Sequence, residues 1–175
     1  NSAPDITNVA LSPTPLYTDT LVTCTSVVAD VDGDSWTDTV TWTVNGSSVA
    51  ATTTLNGANN FDKGDAVSCT WRADDGRDAS ESSSPTRIVQ NSLPTITAVT
   101  VSPSDPVATD VLTCTYTGFS DADNDPNQST IEWYSGTATN PISLGSGATL
   151  ASGFAGGETV TCVVTPYDGD GFGSL

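Results

Sequence analysis

Asn1-Ser2-Ala3-Pro4-Asp5-Ile6-Thr7-Asn8-Val9 returns later in the chain as Asn91-Ser92-Leu93-Pro94-Thr95-Ile96-Thr97-Ala98-Val99. Ser12-Pro13 returns as Ser102-Pro103, and Thr23-Cys24-Thr25 as Thr113-Cys114-Thr115. The offset is 90 throughout, with 11 identities in the first 25 positions. Later landmarks keep the order with small insertions: Trp42 matches Trp133, Cys69 matches Cys162, and Asp75-Gly76 matches Asp168-Gly169. A period of this length marks tandem copies of one small domain. The copies are expected at residues 1–90 and 91–175. The first runs 22 residues from Cys69 to Asn91, and the second has 13 after Cys162. A strand comparable to Thr86-Arg87-Ile88-Val89 is missing from it, so the native chain is expected to continue past Leu175, or a neighbour to supply that strand.

Each copy alternates polar and apolar residues over short runs, the period of a half-buried strand. Val40, Trp42 and Val44 interleave with Thr39, Thr41 and Thr43, and Val67, Cys69 and Trp71 with Ser68 and Thr70. Leu112, Cys114 and Tyr116, Ile131 and Trp133, and Val160, Cys162 and Val164 follow the same rule in the second copy. Ser and Thr supply 50 of the 175 residues, which favours strands and turns, and no segment carries a helical stripe. The expected fold class is all-β, two antiparallel β-sandwiches in tandem. The cysteines fall two per copy on inward strand faces. Pairing Cys24 with Cys69 and Cys114 with Cys162 would join the two sheets of each sandwich. Loops of that length stabilise by about 4 kcal/mol in the chain-entropy model. Disulfides imply an oxidising, extracellular setting. No Cys-x-x-Cys and no histidine is present, which argues against a metal or redox role for the thiols.

Acidic residues outnumber basic ones 21 to 4, giving a formal charge of −17. Such a chain repels nucleic acid and anionic lipid. No apolar run approaches the roughly 20 residues of a membrane span, so no membrane insertion is expected of this segment. Without histidine there is no imidazole base, His metal ligand or Ser-His-Asp triad. The acids are 18 Asp and 3 Glu, and Asp is the side chain that shapes turns and ligates hard cations from loops.

Those aspartates are grouped. Asp30-Val31-Asp32-Gly33-Asp34 lies between the first Cys and the Trp of copy one, and Asp121-Ala122-Asp123-Asn124-Asp125 lies there in copy two. Carboxylates that close repel one another unless a cation sits among them. Calcium suits best, since it takes six to eight oxygens at about 2.3–2.6 Å in irregular geometry. Magnesium and sodium are the lesser alternatives, and a plain polar turn is the alternative without a cation. The pattern opens like an EF-hand loop and then departs from it. Ser35 and Pro126 stand at the glycine position, and a strand follows instead of a helix. A second acidic turn follows the second Cys of each copy, as Asp74-Asp75-Gly76 and Asp168-Gly169-Asp170. A resemblance of the sandwiches to immunoglobulin domains would bring both acidic loops and the entry segments Asn1-Ser2-Ala3-Pro4 and Asn91-Ser92-Leu93-Pro94 to one end, so the ligands it implies are Asp30, Asp32, Asp34 and Asp75 in copy one, with Asp121, Asp123, Asp125, Asp168 and Asn91 in copy two. Asp19, Asp62 and Asp65 are candidates at the opposite end of copy one.

The order Cys, Trp, Cys resembles the immunoglobulin fold, where a Trp packs on the inter-sheet disulfide. The gaps of 18 and 19 residues from Cys24 to Trp42 and from Cys114 to Trp133 are longer than usual because an acidic loop intervenes. Together with the repeated N-S-x-P-x-I-x-x-V, the S-P and the D-G, these motifs look like the tandem immunoglobulin-like repeats of very large bacterial surface and secreted proteins. The likeness covers nearly the whole chain. The arrangement is also similar to cadherins, where calcium between domains stiffens a flexible string, although the cadherin linker signature is absent. The resemblance implies a non-catalytic, calcium-rigidified repeat of an extracellular fibre, stalk or adhesin. Its partners would be adjacent repeats of the same or a neighbouring chain.

A carbohydrate- or surface-binding adhesion module is the competing expectation, with surface glycans as partners. Trp36 and Trp71 are the aromatics to suspect, although Trp71 alternates with Cys69 and reads as core. Glycoside hydrolysis by a pair such as Asp32 and Asp75 is disfavoured, because it needs a cleft and one carboxyl of raised pKa. Asn45-Gly46-Ser47 and Asn127-Gln128-Ser129 match the N-glycosylation pattern, as chance allows in so Asn- and Ser-rich a chain. Lys63-Gly64-Asp65 reads as a turn.

Overall fold

The computed structural model describes all residues, Asn1–Leu175. The chain is all-β and divides into two compact units, Asn1–Ser92 and Leu93–Leu175. The first contains β1 (Asp5–Ser12), β2 (Leu21–Ala29), β3 (Thr37–Val44), β4 (Ser47–Ala50), β5 (Thr54–Asn56), β6 (Ala66–Asp74), β7 (Ala79–Ser83) and β8 (Arg87–Ile88). The second contains β9 (Ala98–Ser102), β10 (Leu112–Thr117), β11 (Thr130–Thr137), β12 (Asn140–Ser146), β13 (Thr149–Leu150) and β14 (Val160–Thr165). One turn of 3₁₀ helix at Gly57–Asn59 is the single helical element, and no helix is long and apolar enough to cross a membrane.

Each unit holds two antiparallel sheets. In the first, β1-β2-β5 forms one sheet, and β4-β3-β6-β7 forms the other with β8 also paired to β6. In the second, the orders are β13-β10-β9 and β12-β11-β14. The alternation in sequence becomes burial in space. Along β3 the buried positions are Val40, Trp42 and Val44, and the threonines between them are more exposed. Val22 and Cys24 of β2 face Val67 and Cys69 of β6 in the same core. The Cys24–Cys69 disulfide joins the two sheets of the first unit, and Cys114–Cys162 joins those of the second. Two disulfides fit a secreted protein.

A tryptophan lies beside each disulfide. Trp42 pairs in register with Cys69, and Trp133 with Cys162. Both rings are completely buried. Each indole N–H needs a partner in such a place. Trp42 Nε1 donates to the carbonyl of Thr52 at 2.7 Å, and Trp133 Nε1 to that of Gly147 at 2.9 Å. The two units thus build one solution twice. They differ at the second cysteine, since Cys69 is buried whereas Cys162 is only partly so. Mild reductant is therefore expected to open Cys114–Cys162 before Cys24–Cys69, as read by alkylation and peptide mapping. Replacing Trp42 by Ala is expected to cost the first unit about 3–5 kcal/mol in a denaturant melt.

Candidate metal-binding loops

The first acidic loop of each unit connects the strand bearing the first Cys to the strand bearing the Trp. In the first unit it follows β2. Asp30 Oδ1 accepts the backbone N–H of Asp32 at 2.8 Å and of Asp34 at 3.1 Å. The Asp30 carbonyl takes the N–H of Gly33 at 3.4 Å. In the second unit Asp121 Oδ1 accepts from Asp123 at 2.9 Å and Asp125 at 3.2 Å, and its carbonyl takes the N–H of Asn124 at 3.4 Å. The turns correspond residue by residue. Their fourth position is left-handed, at φ 78° for Gly33 and 59° for Asn124. Gly and Asn are the residues that tolerate this region, which explains the change between copies.

Each leading aspartate therefore spends one oxygen on shaping the loop. The other, Oδ2 of Asp30 and of Asp121, is buried and has no hydrogen-bond partner. A buried carboxylate oxygen left without a donor is costly, and native structures seldom leave one so. In the second unit, carboxylate oxygens of Asp121, Asp123 and Asp125 lie within 4.8 Å of one another, a spacing that fits a metal ion. Phe119, Ser120 and Asn124 complete a recess of about 320 Å³ beside them. In the first unit Asp32 Oδ2 is held instead by the N–H of Ser2 at 2.6 Å.

The second acidic turns match equally well. Asp75 Oδ1 accepts the N–H of Arg77 at 2.7 Å and of Asp78 at 2.8 Å. Asp168 Oδ1 accepts from Asp170 at 2.7 Å and from Gly171. Gly76 and Gly169 both sit at positive φ, 88° and 106°, which a side chain would resist. Asp168 is 2% exposed, an unusual degree of burial for an aspartate.

The structure brings the two loops of each unit to one end. In the first, the Asn1 side chain donates to Asp75 at 2.9 Å and to Asp78 at 3.1 Å, while its neighbour Ser2 binds Asp32. In the second, Gln128 donates from its side chain to the Asp168 carbonyl at 3.3 Å and from its backbone to Tyr167 at 2.8 Å. Thr95 and Ser120 exchange backbone hydrogen bonds beside Asp121. Asn91 lies in the first unit, where its Oδ1 accepts from Lys63 Nζ at 3.1 Å. Sequence reading brought the Asn1 segment to this end but passed over Asp78 and Gln128. Asp78 was signalled by the run Asp74-Asp75-Gly76-Arg77-Asp78, whereas Gln128 sits where the copies diverge and carried no signal.

Two of the remaining candidates, Asp62 and Asp65, serve the scaffold. Asp65 accepts from Asn45 Nδ2 at 2.7 Å and from the N–H of Asp62 at 2.9 Å, closing the turn before β6. Asn45 Oδ1 in turn accepts the N–H of Ala66 at 3.0 Å, so its amide is committed on both sides. Trp71 is partly buried and donates to Asp38 at 2.9 Å, and Trp36 is 36% exposed in the acidic loop.

Hydrogen bonds set the ionisation of the second turn in the first unit. The Asp78 N–H, with the Asn1 amide and the Arg77 N–H, holds the Asp75 carboxyl below the usual range. The Gly76 N–H and the Arg72 guanidinium do the same for Asp74. A folded-state pKa below the unfolded value adds stability above the unfolded pKa of about 3.9, and the gain is lost as pH falls through the lower folded value. The stability difference between the native chain and Asp75→Ala is thus expected to hold steady near neutral pH and to shrink below about pH 4. Denaturant melts across that range check it.

The chain matches no protein-family model and no curated protein; its own two copies of each acidic loop are the comparison that the chain supplies.

Proposed function

We propose that each unit is an immunoglobulin-like β-sandwich, and that the chain is a non-catalytic structural repeat of an extracellular fibre, stalk or adhesin. Calcium held in the Asp-rich loops makes the string of repeats stiff. The observation that carries this reading is the buried, unpartnered Oδ2 of Asp30 and Asp121, the same atom orphaned in both copies. Oxygen-only donors in a loop match calcium chemistry, and the close grouping of Asp121, Asp123 and Asp125 favours the second unit as the stronger site. The loops also lie where the chain enters that unit, since Thr95 pairs with Ser120 next to Asp121. That is the place from which an ion has most leverage on the preceding residues.

The sheet arrangement supports the sandwich. Two sheets, an inter-sheet disulfide and a buried Trp beside it are the parts an immunoglobulin-like domain is made from. The grouping of aspartates in turns, with no neighbouring histidine, lysine cluster or enclosed cleft in the loops, suits ion holding better than acid–base chemistry.

Calcium titration of the metal-free chain by calorimetry is expected to show binding at about 10⁻⁴–10⁻³ M, the range of extracellular modules. Saturating calcium at about 100 times the dissociation constant would then stabilise the binding unit by about 2.7 kcal/mol. Asp121→Asn keeps the atom that shapes the turn while removing the charge, and should abolish the heat of the stronger site while leaving the fold intact by circular dichroism. Small-angle scattering with and without chelator reads the stiffness. Identical profiles and melting temperatures in both states would sink the proposal.

A further inference from the structure

β11 is the middle strand of its sheet, paired on one side with β12 and on the other with β14. Successive side chains of a strand point to opposite faces. Trp133 enters the core and is completely buried, so Glu132 and Tyr134 stand together on the outer face. By the repeat, Trp42 fixes their counterparts in the first unit as Thr41 and Thr43 of β3. Cys69 likewise fixes those of Thr161 and Val163 as Ser68 and Thr70 of β6. The first unit thus carries small hydroxyl side chains at all of these places. Thr43 and Ser68 satisfy each other there, hydroxyl to hydroxyl at 2.7 Å. The two units keep the same Trp and Cys beneath, yet this face differs.

The difference opens a recess in the second unit. β3 ends at Val44, the second residue after Trp42, whereas β11 continues to Thr137, the fourth after Trp133. The longer hairpin sets Ala138 and Pro141 beside Tyr134. Gly136, the next position on that face, adds no side chain to fill the space. A Cβ there would meet the Asn140 carbonyl oxygen at 2.9 Å, so the backbone itself keeps the gap. Tyr134, Gly136, Ala138, Pro141, Thr161 and Val163 line about 380 Å³. The Tyr134 O–H donates to Glu132 Oε2 at 2.8 Å, which sets a carboxylate at the end of the ring. The second unit contains Asp and Glu but no Lys or Arg. The recess stands on the face of a strand that is paired along both edges, so it does not depend on what lies beyond β14.

We infer that this recess is a docking site for an arginine side chain of a partner polypeptide. A guanidinium is planar and weakly hydrated, stacks on an aromatic face, and offers a fork of N–H donors to a carboxylate. Both counterparts are present. Tyr134 supplies the ring, and Glu132 keeps Oε1 for a donor while Oε2 takes the tyrosine hydroxyl. Pro141 and Val163 give the methylene stem an apolar flank, and Val163 is 39% exposed. The charges are complementary, since the unit is acidic and has no cation of its own to compete for Glu132. An ammonium group is a compact, strongly hydrated charge and gains less from so apolar a lining. None of the lining residues belongs to the acidic loops, so the inference stands apart from calcium binding.

The test is titration of the intact chain at low salt with a blocked tripeptide, acetyl-Ser-Arg-Ser-amide, followed by amide NMR. The expected result is saturable binding at millimolar peptide, with shifts at Tyr134, Gly136, Thr161 and Val163. Glu132→Gln should weaken binding about tenfold and Tyr134→Leu about fivefold, because each removes one half of the recognition. Circular dichroism checks that both variants keep the fold. The same peptide with lysine should bind several times more weakly, and with citrulline, which has the shape without the charge, it should not saturate. Equal binding of the lysine or citrulline peptide, indifference to both substitutions, or shifts confined to the acidic loops would each overturn the inference. So would shifts at these residues with a neutral oligosaccharide and none with the arginine peptide, which would make a sugar the occupant.

Discussion

Each unit rests on a buried indole that cannot leave its place. Trp42 and Trp133 fill the space beside a disulfide, and each spends its N–H on a backbone carbonyl of the segment that crosses from one sheet to the other. The ring supplies the apolar area that holds the sheets together. The hydrogen bond fixes the path of the crossing chain, and the disulfide limits how far the sheets can part. Strand register follows from this, because Trp42 lies opposite Cys69 and Trp133 opposite Cys162. The turns at the strand ends are then placed by the strands, and the acidic loops inherit their positions from the core.

Those loops are shaped by their own backbones. Asp30, Asp75, Asp121 and Asp168 each accept two N–H groups with one oxygen, so the carboxylates are oriented by the turns they cap. A loop shaped by its own hydrogen bonds is ordered before any ligand arrives, which lowers the ordering cost of binding one. The differences between copies are conservative in this sense. Gly33 and Asn124 hold the same left-handed turn, and Asp78 and Gly171 present the same backbone N–H to the preceding aspartate.

Much of the fold was legible because period-two alternation and the 90-residue offset report strand faces and repeats directly. Val40, Trp42 and Val44 were marked as inward by sequence and are buried. Cys24 with Cys69 and Cys114 with Cys162 followed from their faces and spacing, and both disulfides are formed. The convergence of the acidic loops could be expected only by resemblance. That the Asn1 amide reaches Asp75 and Asp78, or that Gln128 reaches the second turn of its unit, depends on loop paths that no periodicity encodes. The unpaired second oxygen of Asp30 and Asp121 was hidden for the same reason, since a side chain's unmet partner is a property of three-dimensional surroundings.

The second unit has unlike ends. Acidic turns crowd the end where the chain enters, and the starts of β10 and β14, at Leu112 and Val160, lie at the other. A body of this kind has a direction. Contacts made through dissimilar surfaces are heterologous and do not close by twofold symmetry, so they propagate as open rows unless rotation happens to shut them into a ring. The acidic turns gathered at one end of each unit make its two ends dissimilar in this sense.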